Sequence, residues 1–220
     1  MRVLDEEKNP LIGELLRVVR SRGEQDDRGR FRETLRRLGV ILGYEISKTF
    51  EPRQHECTTP LGTRLEPVLA ESPVLAAIMR ASLPMWEGML EVFERADTII
   101  LGAARREGAV TSMKDPVLPV DLAYTAWTRV EGRTVIYIDP MIATGSTLRL
   151  VHERLLAKAG RPRRVIVAGV IAFRDTALRL EQPPFSAEVI VASADDELDA
   201  RGYIVPGLGD AGDLAFGAKI

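Results

Sequence analysis

The chain has 220 residues, 45% of them hydrophobic, with one cysteine and a formal net charge of -2, so we predict a single domain with one sizeable core and no internal disulfide. The mixed charge provides no broad basic surface for nucleic acid, and any anion-binding site is therefore expected to be local. The sequence shows no charged-then-apolar leader and no apolar run of about 18 residues, so we expect a cytoplasmic protein that does not span a membrane.

The first 50 residues are predicted to form a helical arm. Apolar side chains share one stripe over residues 10–22, and Phe31 and Leu35 begin a second stripe over residues 28–48. This spacing is the pattern of amphipathic helices. We therefore predict two helices before the first strand of the main sheet.

Residues 51–71 are rich in proline, threonine and glycine, and they are predicted to form a loop or hairpin. We interpret this stretch as a small β-excursion from the domain. His55 and Cys57 lie within it. Two candidate ligands without a second cluster fall short of a closed metal site, so no metal site is predicted there.

Residues 72–200 alternate apolar runs with amphipathic segments, which predicts a parallel sheet with right-handed crossovers. Ser82 is expected to cap the helix after the first strand, with Pro84 in its first turn. Residues 107–123 show no firm periodicity and are predicted to be a mobile flap that closes over the site. The predicted strands lie within Pro73–Met79, Thr98–Leu101, the start of Val135–Leu155, Arg164–Phe173 and Val189–Ser193.

The stretch Val135–Leu155 predicts a strand, a tight loop and the start of a helix. Asp139 follows the strand, where ligands of open α/β sheets bind, and its carboxylate can accept hydrogen bonds from sugar hydroxyls. The small residues from Ala143 to Thr147 can turn their backbone N–H groups toward an anion at the helix N-terminus. An acid followed by such a loop indicates a ribose 5-phosphate, although an ordinary turn with a Ser or Thr helix cap fits the same pattern. His152, farther along the helix, is predicted to be exposed and not catalytic.

The segment 201–220 is rich in glycine around Asp210. A glycine-rich backbone can bring its amide and carbonyl groups against the edge of a pyrimidine. A flexible tail fits the same composition, but apolar residues such as Tyr203 and Phe216 favour packing. Four acidic residues just before this segment are predicted to form a solvated loop and not a metal site: Asp195, Asp196, Glu197 and Asp199.

Two segments resemble the uracil phosphoribosyltransferases, which belong to the type I phosphoribosyltransferases. Their loop for phosphoribosyl pyrophosphate (PRPP) is similar to Asp139-Pro-Met-Ile-Ala-Thr-Gly-Ser-Thr147, and their uracil-binding segment is similar to Gly202-Tyr-Ile-Val-Pro-Gly-Leu-Gly-Asp-Ala-Gly-Asp213. The resemblance implies an α/β fold with a parallel sheet flanked by helices. It also implies that the helical arm packs on a partner subunit in a homodimer or higher homo-oligomer.

The same resemblance implies transfer of the phosphoribosyl group of PRPP to N1 of uracil, giving UMP and pyrophosphate in pyrimidine salvage. It implies a Mg²⁺ cofactor held more by substrate and water than by protein ligands. The implied catalytic residues are Asp139, Arg105 and Asp210. The implied PRPP contacts are Arg80, Arg105, Asp139, Pro140, Met141, Ile142, Ala143, Thr144, Gly145, Ser146, Thr147 and Asp210, and the implied uracil contacts are Ile204, Gly209, Asp210 and Ala211.

The chain departs from the family pattern at three positions. Ser82 and Pro84 stand where family members usually have glycines, and Ala104 replaces an aromatic residue before Arg105. A second hypothesis is therefore a non-catalytic homologue that binds UMP or PRPP as a regulatory ligand. The well-matched tail disfavours an enzyme for another base, and the lack of a basic stripe and of many aromatic residues disfavours an RNA-binding regulator.

Overall fold

The computed structural model describes residues 1–105 and 120–218. Its helices are α1 (Pro10–Arg20), α2 (Arg22–Gln25), α3 (Arg28–Ser47), α4 (Leu83–Val92), α5 (Ser146–Lys158), α6 (Arg174–Leu180) and α7 (Ala211–Phe216), and a 3-10 turn covers Asp5–Glu7. Its strands are β1 (Arg2–Val3), β2 (Pro52–Thr59), β3 (Gly62–Leu69), β4 (Val74–Met79), β5 (Asp97–Arg105), β6 (Val120–Ala126), β7 (Thr134–Ile138), β8 (Met141–Ile142), β9 (Arg164–Phe173), β10 (Glu188–Asp195), β11 (Glu197–Leu198) and β12 (Ile204–Val205).

A mostly parallel sheet forms the centre of the molecule. Its strand order is β1-β10-β9-β7-β4-β5-β6, with β8 paired to β9. Neighbouring strands run parallel except β5 and β6, which are antiparallel. Strands β4 and β7 lie in the middle, and burial on both faces explains their continuous apolar sequences. The predicted α/β fold, a parallel sheet flanked by helices, is confirmed.

The direction in which the chain moves across the sheet reverses between β4 and β7. From β4 the chain passes through α4 to β5 on one side, and from β7 it passes through α5 to β9 on the other. Helix α4 places Met85 and Met89 in a core cluster with Leu75, whereas α5 places Leu148 and Val151 in a second cluster. The two helices therefore cover opposite faces. In such sheets a crevice for ligands opens at the carboxyl ends of the strands that flank the reversal.

The helical arm packs on its own sheet. Phe31, Leu35, Leu38 and Leu42 of α3 are fully buried in the same cluster as Leu75, so the two predicted amphipathic helices are confirmed. Because the apolar stripe of the arm is covered within the chain, that stripe is not available to a partner. Contact between another face of the arm and a partner subunit stays a prediction.

The predicted β-excursion is a hairpin. Strands β2 and β3 pair antiparallel from Pro52 opposite Leu69 to Thr59 opposite Gly62, and they form a sheet of their own. Most of its side chains are exposed, including all of Leu61 and 58% of Leu65. The hairpin is thus an extended, partly apolar element outside the main core.

Two edge strands of the main sheet were not predicted, the two-residue β1 and the seven-residue β6. Strand β1 pairs with β10, and β6 pairs with β5. Residues 107–119 of the predicted flap lie outside the described residues. Its remaining residues, 120–123, belong to β6. Edge strands such as β6 are solvated on one or both faces and lack a continuous apolar run, which is why periodicity missed them. No helix in the described ranges is long and apolar enough to cross a membrane.

Candidate active site

Asp139 lies at the carboxyl end of β7, beside the reversal in the sheet. Strand register pairs Ile138 with Ala77 of β4 on one side and with Ala168 of β9 on the other. The Asp139 side chain is 8% exposed, and its Oδ1 accepts the Met141 N–H at 3.1 Å. Its backbone N–H donates to the carbonyl of Ala168 at 3.1 Å. The carboxylate is therefore held at the edge where ligands of this fold bind.

The loop after Asp139 leads directly into the N-terminus of α5. Ala143, Thr144, Ser146 and Thr147 are all buried, and Gly145 occupies the N-cap position with a left-handed φ of 75°. The Thr144 hydroxyl lies 2.9 Å from the Ser146 hydroxyl and accepts the Ser146 N–H at 3.3 Å. The first amides of a helix have no acceptor within the helix and carry its positive dipole end. The loop therefore has the geometry of an anion-binding site, and no serine or threonine side chain supplies the N-cap itself.

Arg80 follows β4 and reaches the C-terminal segment. Its Nη2 donates to Asp213 Oδ1 at 2.8 Å, and its Nη1 donates to the carbonyl of Gly217 at 3.3 Å. Since β4 is the neighbour of β7, Arg80 and Asp139 follow adjacent strands at the same edge. Arg105 ends β5, the next strand along this edge. The backbone positions of these predicted PRPP contacts therefore share one edge of the sheet.

Ser82 lies at the N-cap position of α4, as predicted, but its side chain makes no capping hydrogen bond. Ser82 has an ordinary right-handed helical conformation, and its fully buried hydroxyl contacts no acceptor among the described residues. Pro84 lies in the first turn of α4, as predicted, where a helix amide lacks an intrahelical acceptor in any case. The backbone conformation at these two positions is compatible with serine and with proline. Neither position therefore requires a glycine.

The tail is folded, as its apolar residues predicted, although its sequence shows no periodicity. Ile204 lies in β12, and Asp210 is the N-cap of α7, where its Oδ1 accepts the Asp213 N–H at 3.0 Å. Ile204 and Ala211 belong to the main core cluster, so a flexible tail is excluded. Gly209 immediately precedes the cap. A helix of six residues is too short to leave a periodic signal, whereas the spacing of Asp210 and Asp213 is that of a helix cap and its N3 residue.

The acidic segment before the tail is not simply a solvated loop. Asp195 pairs with Arg20 through two hydrogen bonds of 2.8 and 2.9 Å and accepts the Gly207 N–H at 3.0 Å. Asp199 accepts the N–H groups of Arg201 and Tyr203 at 2.9 and 2.8 Å. These two carboxylates therefore anchor the turn that leads into the tail, and the prediction for them was wrong.

His152 is buried, and the prediction that it is exposed was wrong. Its Nδ1 lies 3.0 Å from the hydroxyl of Tyr137, and its ring centroid is 4.5 Å from that of Phe185. Burial lowers the pKa of His152 and raises the pKa of Tyr137. The pair joins β7 to α5 behind the loop that connects them. His152 therefore contributes to packing between β7 and α5, and its having no catalytic role stays a prediction.

Comparison with known proteins places these features in a family. The sequence model described as uracil phosphoribosyltransferase matches residues 7–218. A uracil phosphoribosyltransferase from Thermococcus gammatolerans is 39% identical over 97% of this chain and 92% of its own, and one from Sulfolobus acidocaldarius is 38% identical over 94% and 96%. A solved protein structure from Aquifex aeolicus superposes with a TM-score of 0.82 at 30% identity, covering 96% of this chain and 97% of its own.

Proposed function

Because the chain belongs to the uracil phosphoribosyltransferase family, we propose that it transfers the phosphoribosyl group of PRPP to N1 of uracil. The C1′–O bond breaks and its electron pair leaves with pyrophosphate, N1 of uracil bonds to C1′ and gives up its proton to solvent, and UMP and pyrophosphate are released. One observation supports the assignment of the site: the loop after β7, Arg80 after β4 and the capped tail helix meet at the reversal of the sheet.

The loop from Ala143 to Thr147 binds the 5′-phosphate. The N-terminal amides of α5 and the hydroxyls of Thr144, Ser146 and Thr147 are donors suited to a phosphate. Pro140, Met141 and Ile142 connect this loop to Asp139, whose carboxylate accepts hydrogen bonds from the ribose hydroxyls. Sugar and phosphate are thereby held on consecutive parts of one segment.

Arg80 and Arg105 bind the pyrophosphate group. A guanidinium pairs bidentately with phosphate oxygens and stays charged, which suits a leaving group that accumulates negative charge. The protein needs to form no covalent bond with the substrate. Its contribution is to align the base with C1′ and to stabilise the departing pyrophosphate.

Uracil binds at the tail, against Ile204, Gly209, Asp210 and Ala211. Backbone amides and carbonyls here can pair with the alternating carbonyl and N–H groups of the pyrimidine edge. The cap at Asp210 and the burial of Ile204 and Ala211 fix this backbone before the base arrives. Preorganisation of this kind lowers the entropic cost of binding.

Magnesium fits this site as a partner of PRPP. Among the described residues, no three His, Cys, Asp or Glu side chains gather into a metal site. Mg²⁺ ordinarily keeps several waters and binds one or two carboxylates together with substrate phosphates, and Asp139 and Asp210 would supply those carboxylates, directly or through water. When bound, the ion would neutralise charge on the departing pyrophosphate.

The protein acts as a homodimer or a higher homo-oligomer through its hairpin. A two-stranded hairpin is marginally stable alone in water, and Leu65 and Leu69 lie on one face of β3 with large exposed fractions. We propose that a second copy of this chain covers this face. Location in the cytoplasm stays a prediction from the sequence.

The decisive experiment measures UMP formation from uracil and PRPP with Mg²⁺, in the native protein and in an Asp139→Asn variant. We expect magnesium-dependent turnover that falls at least about a hundredfold in the variant, because misaligned ribose loses the geometry of attack. The control is Asp97→Asn, which removes an acid paired with Arg133 at the opposite end of the sheet. A folded native protein that binds UMP or PRPP without forming product would overturn the proposal in favour of a regulatory homologue.

A further inference from the structure

The side chain of Arg80 joins the two halves of the site. Its hydrogen bonds to Asp213 and Gly217 span 133 and 137 residues of sequence. Asp213 in turn donates its backbone N–H to Asp210, the cap of α7. A continuous series of contacts therefore runs from the arginine that binds pyrophosphate, through Asp213, to the segment that binds uracil.

The spacing around this contact is tight. A Cβ atom added to Gly212 would lie 3.1 Å from Asp210 Oδ1 and 3.7 Å from Arg80 Nη2. The tight approach is to the Asp210 carboxylate that caps α7, whereas 3.7 Å from Arg80 is ordinary van der Waals contact, so the first turn of α7 packs directly against the guanidinium. The Arg80 and Asp213 side chains are 36% and 38% exposed, and ion pairs this exposed add little to folding stability. The contact is better explained by the position it gives to Arg80.

Arg80 keeps donors available while it contacts the tail. A guanidinium has five N–H groups, and the tail accepts one from each terminal nitrogen. The buried Nε donates to no acceptor in the described part of the chain. Pyrophosphate can therefore bind Arg80 without displacing Asp213.

We propose that Asp213 is a positioning residue that couples the pyrophosphate and uracil subsites through Arg80. Pyrophosphate restrains Arg80, Arg80 restrains Asp213, and the first turn of α7 is thereby held more firmly in the capped conformation that it already has. Binding of one ligand then increases affinity for the other, and the factor is the same in both directions. This inference rests on the proposed function.

The test uses uracil and magnesium pyrophosphate, which together lack the ribose and cannot react. Calorimetry gives the dissociation constant of uracil with and without saturating magnesium pyrophosphate. We expect pyrophosphate to tighten uracil binding about tenfold in the native protein, a typical coupling factor. Asp213→Ala should bring the factor close to one, and Asp213→Asn, which keeps an acceptor for Arg80, should give an intermediate factor.

The matched control is Asp97→Asn, which also neutralises a partly exposed aspartate paired with an arginine. It should keep the native coupling factor. The inference is overturned, and the proposed function is not, if Asp213→Ala retains the native coupling factor. The same holds if the native protein binds both ligands with a coupling factor of one or less. If the alanine variant does not fold, the asparagine variant decides by the same criterion. A native protein that binds neither ligand overturns the proposed function, and the inference with it.

Discussion

Gly145 is the residue on which the geometry of the loop before α5 depends most directly. Its φ of 75° is unfavourable for side chains other than glycine, and an added Cβ would lie 2.9 Å from Cγ2 of the buried Thr176. The N-cap of α5 therefore requires glycine for two reasons, conformation and space.

We expect Gly145→Ala to lower the free energy of unfolding by about 3 kcal/mol, from about 1 kcal/mol of backbone strain plus about 2 kcal/mol of overpacking. The control is Gly132→Ala, since Gly132 has a similar φ of 70° but no atom within 4 Å of the added Cβ. That variant should lose only about 1 kcal/mol in urea unfolding. Only Gly145→Ala should also raise the KM for PRPP. Equal losses in the two variants would show that Thr176 moves aside without cost.

The burial of His152 makes stability depend on pH. Its pKa is lowered in the folded state, so between that pKa and about 6.5 the unfolded chain binds a proton that the folded chain does not. Stability from this residue is complete above about pH 6.5 and is lost as the pH falls through the folded pKa. The slope from one such proton is at most about 1.4 kcal/mol per pH unit.

The measurement is urea unfolding at pH 8.0, 6.5 and 5.5 in the native protein and in His152→Gln. Glutamine does not titrate, and its amide oxygen can accept from the Tyr137 hydroxyl. We expect the native protein to lose stability toward pH 5.5 faster than the variant. An identical pH dependence in both would mean that His152 takes up its proton without cost in the fold. Both proteins retain His55, which cancels in the comparison.

At the scale of elements, the hairpin is the part of the chain least explained by the isolated subunit. One face carries Leu65 and Leu69, with Glu56 of β2 directly opposite Leu65, whereas Arg64 and Glu66 point to the other face and pair with each other. Among the elements described, it has no extensive contact beyond its own two strands. The proposed second copy of this chain would cover these leucines.

We expect the double variant Leu65→Ser/Leu69→Ser to weaken the dimer at least about tenfold for each leucine, since burying a leucine is worth about 2 kcal/mol. Sedimentation velocity over a concentration series measures the dissociation constant. The control Arg64→Ser/Glu66→Ser removes two charges of opposite sign from the other face and should dimerise like the native protein. A native chain that sediments as a monomer, or a leucine variant with native dimerisation, contradicts the assignment.

At the scale of the whole molecule, the site exists because two crossovers leave the sheet centre in opposite directions. Helices α4 and α5 cover opposite faces, so the ends of β4 and β7 remain open between them. The tail then closes over this opening and is tied back by Arg20, Gln25, Arg32 and Arg80, which donate to Gly207, Leu208, Ala215 and Gly217 carbonyls. The tail and the residue that follows β4 are 133 positions apart along the chain, and they thereby become neighbours.

The sequence by itself determined the elements whose information is local. The apolar runs of β4, β7 and β9, the stripes of α1 and α3, and the strand–loop–helix at Asp139 to Thr147 are each specified within about twenty residues by periodicity and turn chemistry. The resemblance to a known family added the expected reaction and the expected role of the tail in binding uracil. These features are readable because each follows from residues that are close together along the chain.

Only the tertiary structure decided the contacts between distant residues. The pair of Arg20 with Asp195 spans 175 residues and that of Arg80 with Asp213 spans 133, so nothing in their local sequence indicates a partner. The same reason hid the burial of His152, whose surroundings come from β7 and the segment around Phe185. Periodicity reports which face of an element is apolar, whereas the partner of a polar side chain is fixed by the way the elements are placed against one another.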